Sequence, residues 1–233
     1  RAHGNNTYFS SILNIPIKKK TLFYEWNLYR KSSGYCAVSA FTADKMRALY
    51  HIKKPIAIIY NGLDTRIENQ SSNLSLSNSN QLSTYQNPIV FSGTLTPKKG
   101  IYELVKSVIR ILETGVDTTL IINGKDTINQ ATGFSVKAEL INLIPESLQQ
   151  KFIFNGHITR DELICQYINS KAAIFPSFAE AFALAPMEAM LVGTPTIYSD
   201  TCSGNELIIN KIDGLLINPN SIESIVQAIS FIL

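Results

Sequence analysis

Two glutamates stand close together in a stretch of small and apolar residues. Glu180 and Glu188 are separated by seven residues in the segment FAEAFALAPMEAM (178–190). A buried apolar segment rarely carries carboxylates unless they are paired or hydrogen-bonded. A carboxylate accepts strong hydrogen bonds from hydroxyl groups, so these residues suit a sugar-like ligand. Glu188 has a structural alternative, because an acidic residue in the first turn of a helix stabilises it by about 0.3–1 kcal/mol. Glu180 has no such alternative.

A glycine and two lysines form a second candidate site. In SGTLTPKKG (92–100), Gly93 allows the backbone to pass close to a ligand. Lys98 and Lys99 stand just before a predicted helix, where backbone N–H groups and the helix dipole favour an anion. For this segment taken alone, two solvated lysines at a helix start are the alternative.

Two further segments carry weaker signals. In NGHIT (155–159), Gly156 would admit a flat ring against the backbone, with a turn glycine as the alternative. His157 lacks a second histidine or a carboxylate pattern that would support a metal or acid–base role, so a surface histidine is favoured. Gly204 and Glu206 precede another helix. Together, these segments would bind an anionic group at the helix starts and hydroxyl groups at the carboxylates. A nucleotide sugar carries both kinds of group.

The elements that must position these residues follow a regular pattern from residue 89 onward. Short strands alternate with helices, and the strands are continuous apolar runs, which is typical of a parallel sheet covered on both faces. Six such units predict a doubly wound, Rossmann-like domain. Ligands of such domains bind beyond the carboxyl ends of the strands, where the candidate residues stand. The predicted strands are 89–93, 118–124, 151–157, 172–177, 194–200 and 214–219. Pro145 is expected to break the helix predicted after the second strand, and Thr159 and Glu162 stand at capping-box spacing before the helix that follows the third.

Local signals divide the chain into three parts. Residues 1–68 are interpreted as the C-terminal part of a separate α/β domain, 69–88 as a Ser/Asn-rich linker or exposed loop, and 89–233 as the doubly wound domain. Pro186 favours the first turn of a helix, which places Glu188 in that turn and Glu180 in the loop before it. The chain starts at Arg1 and stops within an apolar-periodic helix, which indicates a fragment truncated at both ends.

Composition narrows the class of protein. The chain has 233 residues, 45% of them hydrophobic, with a net charge of +3 and no basic stripe with interleaved aromatics, so nucleic acid is not expected as a partner. Three cysteines without metal-ligand or disulfide spacing fit a reducing cytosol and predict no metal site.

The apolar runs are too short for a transmembrane helix. The segment IPIKKKTLFYEW (15–26) fits a peripheral contact with an anionic membrane surface, with a solvated charge cluster as the alternative.

The segment FAEAFALAPMEAMLVGTPTIYSD resembles the Glu-x7-Glu signature of retaining glycosyltransferases with the GT-B fold (group 1, or family 4, type). This family includes bacterial enzymes of lipopolysaccharide and capsule assembly. FSGTLTPKKGIYELVKSV resembles its phosphate-binding segment and FIFNGHITRDEL its nucleobase-side segment, while AVSAFTADKM and IIYNGLD resemble the end of its N-terminal domain and the crossing to its C-terminal domain. The matching signature residues are Pro176, Ser177, Glu180, Phe182, Leu184, Glu188, Ala189, Met190, Gly193 and Pro195.

The resemblance implies a metal-independent, cofactor-free hexosyltransferase that uses a UDP-, GDP- or ADP-linked sugar and a glycan or glycolipid acceptor. The cysteines predict a cytoplasmic location, and the segment 15–26 predicts a peripheral contact at the inner membrane face. The resemblance assigns Glu180 to the transferred sugar, Lys99 to the diphosphate and Glu188 to the ribose. RAHG resembles the segment with the family's active-site histidine, which is His3 here. The other implied donor-binding residues are Gly93, Thr94, Lys98, Gly156, His157, Ile158, Ala181, Phe182, Ala183 and Leu184.

The chain departs from the family pattern at three positions. Ala181 and Ala183 replace glycines, and Thr94 replaces an arginine that would help to bind the diphosphate. A catalytically silent GT-B-like protein, acting as a sugar-nucleotide binder or partner subunit, is therefore the alternative. The presence of Glu180, Glu188 and Lys99 argues against this silent alternative. A nicotinamide-dependent oxidoreductase is disfavoured because no Gly-x-Gly-x-x-Gly turn follows a strand. Because a GT-B cleft lies between two domains, we expect residues 1–233 alone not to turn over donor.

Overall fold

The computed structural model describes residues 7, 8, 10, 16–65 and 84–233. His3 and residues 69–83 of the predicted linker lie outside this description. The helices are α1 (Lys19–Lys31), α2 (Ala40–Tyr50), α3 (Ile101–Glu113), α4 (Val136–Leu143), α5 (Arg160–Ile168), α6 (Leu184–Leu191), the one-turn α7 (Gly204–Leu207) and α8 (Ile222–Ile232). The strands are β1 (Tyr35–Ala37), β2 (Ile56–Ile58), β3 (Pro88–Ser92), β4 (Thr119–Asn123), β5 (Phe152–Gly156), β6 (Ala172–Phe175), β7 (Thr196–Ser199) and β8 (Leu215–Ile217).

The strands form two separate parallel sheets. β1 pairs with β2, and the other six strands form a sheet in the order β5-β4-β3-β6-β7-β8. The chain thus starts the larger sheet in its middle, winds outward to β5, and returns to build the other half from β6. This is the doubly wound order predicted for a Rossmann-like domain, and the direction reverses between β3 and β6. The position of β2 outside the larger sheet agrees with the predicted change of pattern between the two parts of the chain.

The larger sheet is buried on both faces. In β3, Ile89 and Phe91 pack into one apolar cluster and Val90 into another, because successive side chains of a strand point to opposite faces. The first cluster is completed by α3, α4 and α8, and the second by α5 and α6. The continuous apolar runs of the sequence are explained by this double cover.

Pro186 lies in the first turn of its helix as predicted, but the prediction that Glu188 shares this turn is wrong by one residue. α6 begins at Leu184, two residues before Pro186, so Glu188 is its fifth residue and lies in the second turn. The N–H groups of the first turn have no intrahelical partner, so proline fits at the third helical position as well as at the first. The helix dipole stabilises acidic residues only within the first turn. Stabilisation of the helix therefore does not explain a glutamate at position 188.

Gly100 joins the turn after β3 to the end of β6. Its φ is +68°, and a Cβ atom there would lie 1.9 Å from the carbonyl oxygen of Pro176. Gly115 has a similar φ of +88° but open space around the equivalent position. We expect Gly115→Ala to cost about 1–2 kcal/mol for the left-handed backbone alone. Gly100→Ala adds overpacking of about 1–3 kcal/mol, for a total of about 2–5 kcal/mol.

Urea unfolding of the two variants beside the wild type measures this difference. A larger decrease in the free energy of unfolding for Gly100→Ala would show that the turn after β3 packs closely against the end of β6. Equal decreases for the two variants would contradict this close contact.

Within the described part of the chain, no helix combines the length and the apolarity needed to cross a bilayer.

Candidate functional site

The site lies where the winding of the larger sheet reverses. β3 pairs with β4 on one side and with β6 on the other, so the segments that follow β3 and β6 leave the sheet side by side. Backbone contact links them directly, because the N–H of Phe178 donates to the carbonyl of Lys98 at 2.9 Å. Open α/β sheets bind their ligands at this switch point. The two segments singled out in the sequence therefore form one site.

Lys99 and Glu180 form an ion pair across the switch point. The Lys99 ammonium donates to a carboxylate oxygen of Glu180, and the two side chains are only 22% and 20% exposed. The residues are 81 positions apart in the chain and come from the two neighbouring strand exits. A cation and a carboxylate thus share one partly buried point, where charge is screened less than at the open surface.

Lys98 lies beside this pair. Burial, and next the adjacent Lys99 charge, lower the pKa of the Lys98 ammonium below its ordinary value, although Glu180 acts in the opposite direction. An anion bound at this point would favour the charged form of Lys98.

Glu188 has a partner that the sequence analysis did not identify. Nε and Nη2 of Arg160 lie 2.9 and 2.8 Å from Oε1 of Glu188, whose side chain is 12% exposed. Arg160 is the first residue of α5, directly after the NGHIT segment. The sequence could have identified Arg160 as a candidate site residue, because it follows a predicted strand by only a few positions. The contact connects the end of the NGHIT segment with the helix that carries Glu188.

The exits of β3, β4 and β5 touch one another through backbone. The N–H of Gly93 donates to the carbonyl of Asn123 at 2.9 Å, and the N–H of Gly124 donates to that of Gly156 at 2.7 Å. A Cβ atom on Gly124 would lie 1.8 Å from the carbonyl oxygen of Gly93. This edge of the site is therefore a surface of close-packed backbone.

The NGHIT segment (155–159) begins at this edge. Gly156 has a φ of +74°, His157 is exposed and Ile158 is half-buried. Thr159 and Glu162 form the predicted capping box at the start of α5. The cap fixes the start of α5 and thereby the position of Arg160, its first residue.

The alanines that replace family glycines fit their backbone. Neither Ala181 nor Ala183 belongs to the residues with positive φ, and Ala183 has a φ of −79° and a ψ of 140°. Ala181 and Phe182 are buried, whereas Leu184 is exposed. The loop therefore does not require glycine. Thr94, the other departure, is exposed at the exit of β3.

Two residues of the first part of the chain also reach the loop after β6. The hydroxyl of Ser39 donates to the carbonyl of Ala181 at 2.6 Å, and the Asn61 amide donates to the carbonyl of Phe182 at 3.1 Å. The sequence analysis did not place them in the site, although both lie in segments that resemble the family. Among the described residues, no group of three or more His, Cys, Asp and Glu side chains has an arrangement that would hold a metal ion.

Comparisons with known proteins agree with this geometry. A family model for "Glycosyl transferases group 1" matches residues 74–233, and one for "Glycosyltransferase Family 4" matches residues 2–67. The chain is 26% identical over 180 residues to the O-antigen chain mannosyltransferase RfbU of Salmonella typhimurium, a match that covers 77% of this chain and 48% of RfbU. It is 26% identical over 149 residues to the glycogen synthase of Mycobacterium tuberculosis, covering 62% and 33% of the two chains.

A solved structure has the same fold. HepE of Anabaena, in complex with UDP and glucose, superimposes with a TM-score of 0.78 at 21% identity, over 92% of this chain and 57% of HepE. The chain spans less than two thirds of each of these three relatives. The group 1 match alone covers more than half of the chain. The chain therefore belongs to the group 1 glycosyl transferases, and its parallel sheets have the arrangement of the GT-B fold.

Proposed function

We propose that this protein transfers a sugar from a nucleotide diphosphate to an acceptor hydroxyl, with retention of anomeric configuration. The observation that carries the proposal is the Lys99–Glu180 ion pair at the switch point of the sheet. It combines a cation for a diphosphate with a carboxylate for sugar hydroxyls. Both groups are held on neighbouring strand exits of a glycosyl transferase fold.

The diphosphate lies, in this proposal, between Lys99 and the start of α6. The leaving group gains negative charge as the glycosidic bond breaks, and fixed positive charge at that point lowers the barrier. The ammonium of Lys99 and the N–H groups at the start of the eight-residue α6 supply that charge. As the diphosphate draws the ammonium toward itself, the Glu180 carboxylate becomes available to the hydroxyls of the transferred sugar. The proposed mechanism uses neither a metal nor a cofactor.

Glu188 and the segment Gly156–Ile158 hold the nucleoside part. Glu188 accepts from the ribose hydroxyls, and Arg160 keeps its carboxylate oriented from the side of the base. Gly156 offers backbone to the flat face of the base, beside His157 and Ile158. UDP, GDP and ADP donors all present these groups, and HepE was solved with UDP.

The acceptor is proposed to be a glycan or glycolipid in the assembly of a bacterial surface polysaccharide. RfbU, whose name assigns it to the O-antigen chain, supports this setting. A cytoplasmic location is supported by the three cysteines, which are all thiols.

A contact with the inner membrane face is supported by α1. Phe23, Tyr24 and Leu28 are each more than 60% exposed on this helix, and lysines or arginines stand at both of its ends. Exposed aromatics flanked by basic residues suit an anionic bilayer surface. Co-sedimentation with phosphatidylglycerol vesicles, compared with phosphatidylcholine vesicles, tests this contact.

A catalytically silent sugar-nucleotide binder or partner subunit is the second candidate. Thr94 favours it, because the exposed β3 exit lacks the family's arginine. Both candidates predict donor binding, and only the first predicts sugar transfer. The anomeric proton signals of the transferred sugar, followed by NMR, distinguish transfer with retention from inversion or from no reaction.

Donor binding is tested by calorimetry with UDP, GDP, ADP and their glucose or mannose conjugates. One nucleotide should bind the wild type clearly better than the others. Glu188→Ala should weaken its binding by about tenfold to a hundredfold, because hydrogen bonds to a charged group contribute about 1.5–3 kcal/mol. In turnover it should raise KM more than it lowers kcat, since ribose contacts persist from ground state to transition state.

Glu113→Ala is the control, because Glu113 is an exposed glutamate at the end of α3. It should bind the nucleotide as the wild type does. Wild-type affinity in Glu188→Ala would contradict the assignment of Glu188 to the ribose.

A further inference from the structure

We propose that Ser39 and Asn61 are positioning residues that aim the Glu180 carboxylate from the other part of the chain. The inference rests on the proposed function for its effect on catalysis. The contacts that carry it join the loop of residues 178–183 to segments about 120–140 residues earlier in the chain.

Ser39 fixes the carbonyl of Ala181. Its side chain is fully buried, and its oxygen accepts from the N–H of Thr42 at 3.0 Å as the cap of α2. A serine hydroxyl has a single hydrogen to donate. That hydrogen can be donated to the carbonyl of Ala181 at 2.6 Å or to the Thr42 hydroxyl at 2.8 Å, and the bond to the carbonyl is the shorter. The Thr42 hydroxyl lies 3.4 Å from the same carbonyl and belongs to the same cap.

Asn61 fixes the next carbonyl of the same loop. Its amide donates to the carbonyl of Phe182 at 3.1 Å. The ring of the preceding Tyr60 packs against the ring of Phe182, with centroids 5.2 Å apart. Val38, next to Ser39, is buried in one apolar cluster with Ala181 and Phe182.

The opposite side of the loop is held by the β3 exit. Phe178 is bonded through its N–H to Lys98, and the Glu180 side chain pairs with Lys99. Glu180 thus lies between a fixed peptide before it and two fixed carbonyls after it. These bonds restrict the backbone on both sides of Glu180, and in this proposal Ser39 and Asn61 thereby set the direction of its carboxylate.

Glu206 ties the cap itself to the larger sheet. Its two carboxylate oxygens accept from the N–H groups of Ala40 and Phe41, at 2.7 and 2.8 Å. These are the first two N–H groups of α2, which lack intrahelical partners and attract negative charge. The start of α2, and Ser39 with it, is therefore placed by a residue that follows β7.

Steady-state kinetics of the natural full-length protein test the proposal. Ser39→Ala and Asn61→Ala should each lower kcat by about tenfold to a hundredfold, because displacements of the order of 1 Å at a reacting group cost that much rate. The KM for the donor should stay within about threefold of the wild type, since the ribose and base contacts are untouched. Ser39→Thr keeps the hydroxyl and the helix cap and should restore most of the activity.

Ser32→Ala is the matched control. The Ser32 hydroxyl also donates to a backbone carbonyl at 2.6 Å, that of Leu28, but this bond is exposed and lies at the end of α1. Its kcat should equal that of the wild type. A kcat for Ser39→Ala near that of Ser32→Ala would overturn the proposal.

A double variant separates positioning from general loss of structure. If Ser39 acts through Glu180, adding Ser39→Ala to Glu180→Ala should lower kcat no further. If the decrease in kcat of the double variant equals the product of the decreases in the two single variants, Ser39 acts on something other than Glu180. That result would overturn the proposal.

Amide hydrogen exchange separates this proposal from the proposed function. Ser39→Ala should speed exchange of the Phe178 amide, whose N–H is hydrogen-bonded to Lys98 at the start of the loop, by at least about tenfold, while the strands of the larger sheet exchange as in the wild type. If no donor turns over but the loop loosens, the proposed function fails and the positioning stands. If exchange in the loop is unchanged, the positioning fails whatever the activity.

Discussion

In the natural full-length protein, replacing Glu180 by alanine should lower kcat by about a hundredfold or more and change the donor KM much less. The carboxylate lies at the switch point, fixed by Lys99 on one side and by a bonded loop on the other. In our account it holds the sugar whose bond is breaking, where small misplacements are costly in rate. The contrast with Glu188→Ala, which should act mainly on KM, distinguishes the two carboxylates that share one short segment.

Glu180→Gln refines this test. The amide keeps the volume and can still accept hydrogen bonds from sugar hydroxyls, but it loses the charge that pairs with Lys99. Its kcat should fall between those of the wild type and Glu180→Ala. A kcat near the wild-type value in Glu180→Ala would mean that this carboxylate does not orient the sugar.

Replacing Lys99 by alanine should lower kcat/KM by about a hundredfold to a thousandfold, the range found when one preorganised electrostatic group is removed from an active site. Thr94 stands where the family resemblance implies an arginine, so in our proposal more of the diphosphate charge falls to Lys99. Its removal also leaves Glu180 without its cation, in a position only 20% exposed.

Lys106→Ala is the matched control for this prediction. Lys106 is an exposed lysine in the middle of α3, so its loss changes the net charge equally without touching the ion pair or a strand exit. It should leave kcat/KM unchanged. Similar losses in the two variants would indicate a general effect of charge and would contradict the role of Lys99.

The sequence predicted the parts of the fold that depend on local patterns. Continuous apolar runs followed by helical spacing are direct consequences of a parallel sheet buried on both faces, and all six strands of the larger sheet were located from them. The end of α4 before Pro145 and the capping box at Thr159 are local for the same reason. The strand exits were therefore identified before their spatial arrangement was known.

The contacts within the site were less accessible to the sequence. Proline is compatible with more than one position in a first helical turn, so Pro186 did not locate the start of α6. Arg160 and Glu188 are 28 residues apart, and Ser39 and Ala181 are 142 residues apart. No local pattern relates such pairs, because their contact depends on how whole elements pack.

The most direct measurement is a crystal structure of the chain with the nucleotide sugar that calorimetry selects. We expect diphosphate oxygens within hydrogen-bonding distance of Lys99 and of the N–H groups at the start of α6. The ribose hydroxyls should contact Glu188, and the sugar should lie beside Glu180. A nucleotide bound away from the exits of β3 and β6, or one whose diphosphate contacts neither Lys99 nor α6, would rule out the proposed site.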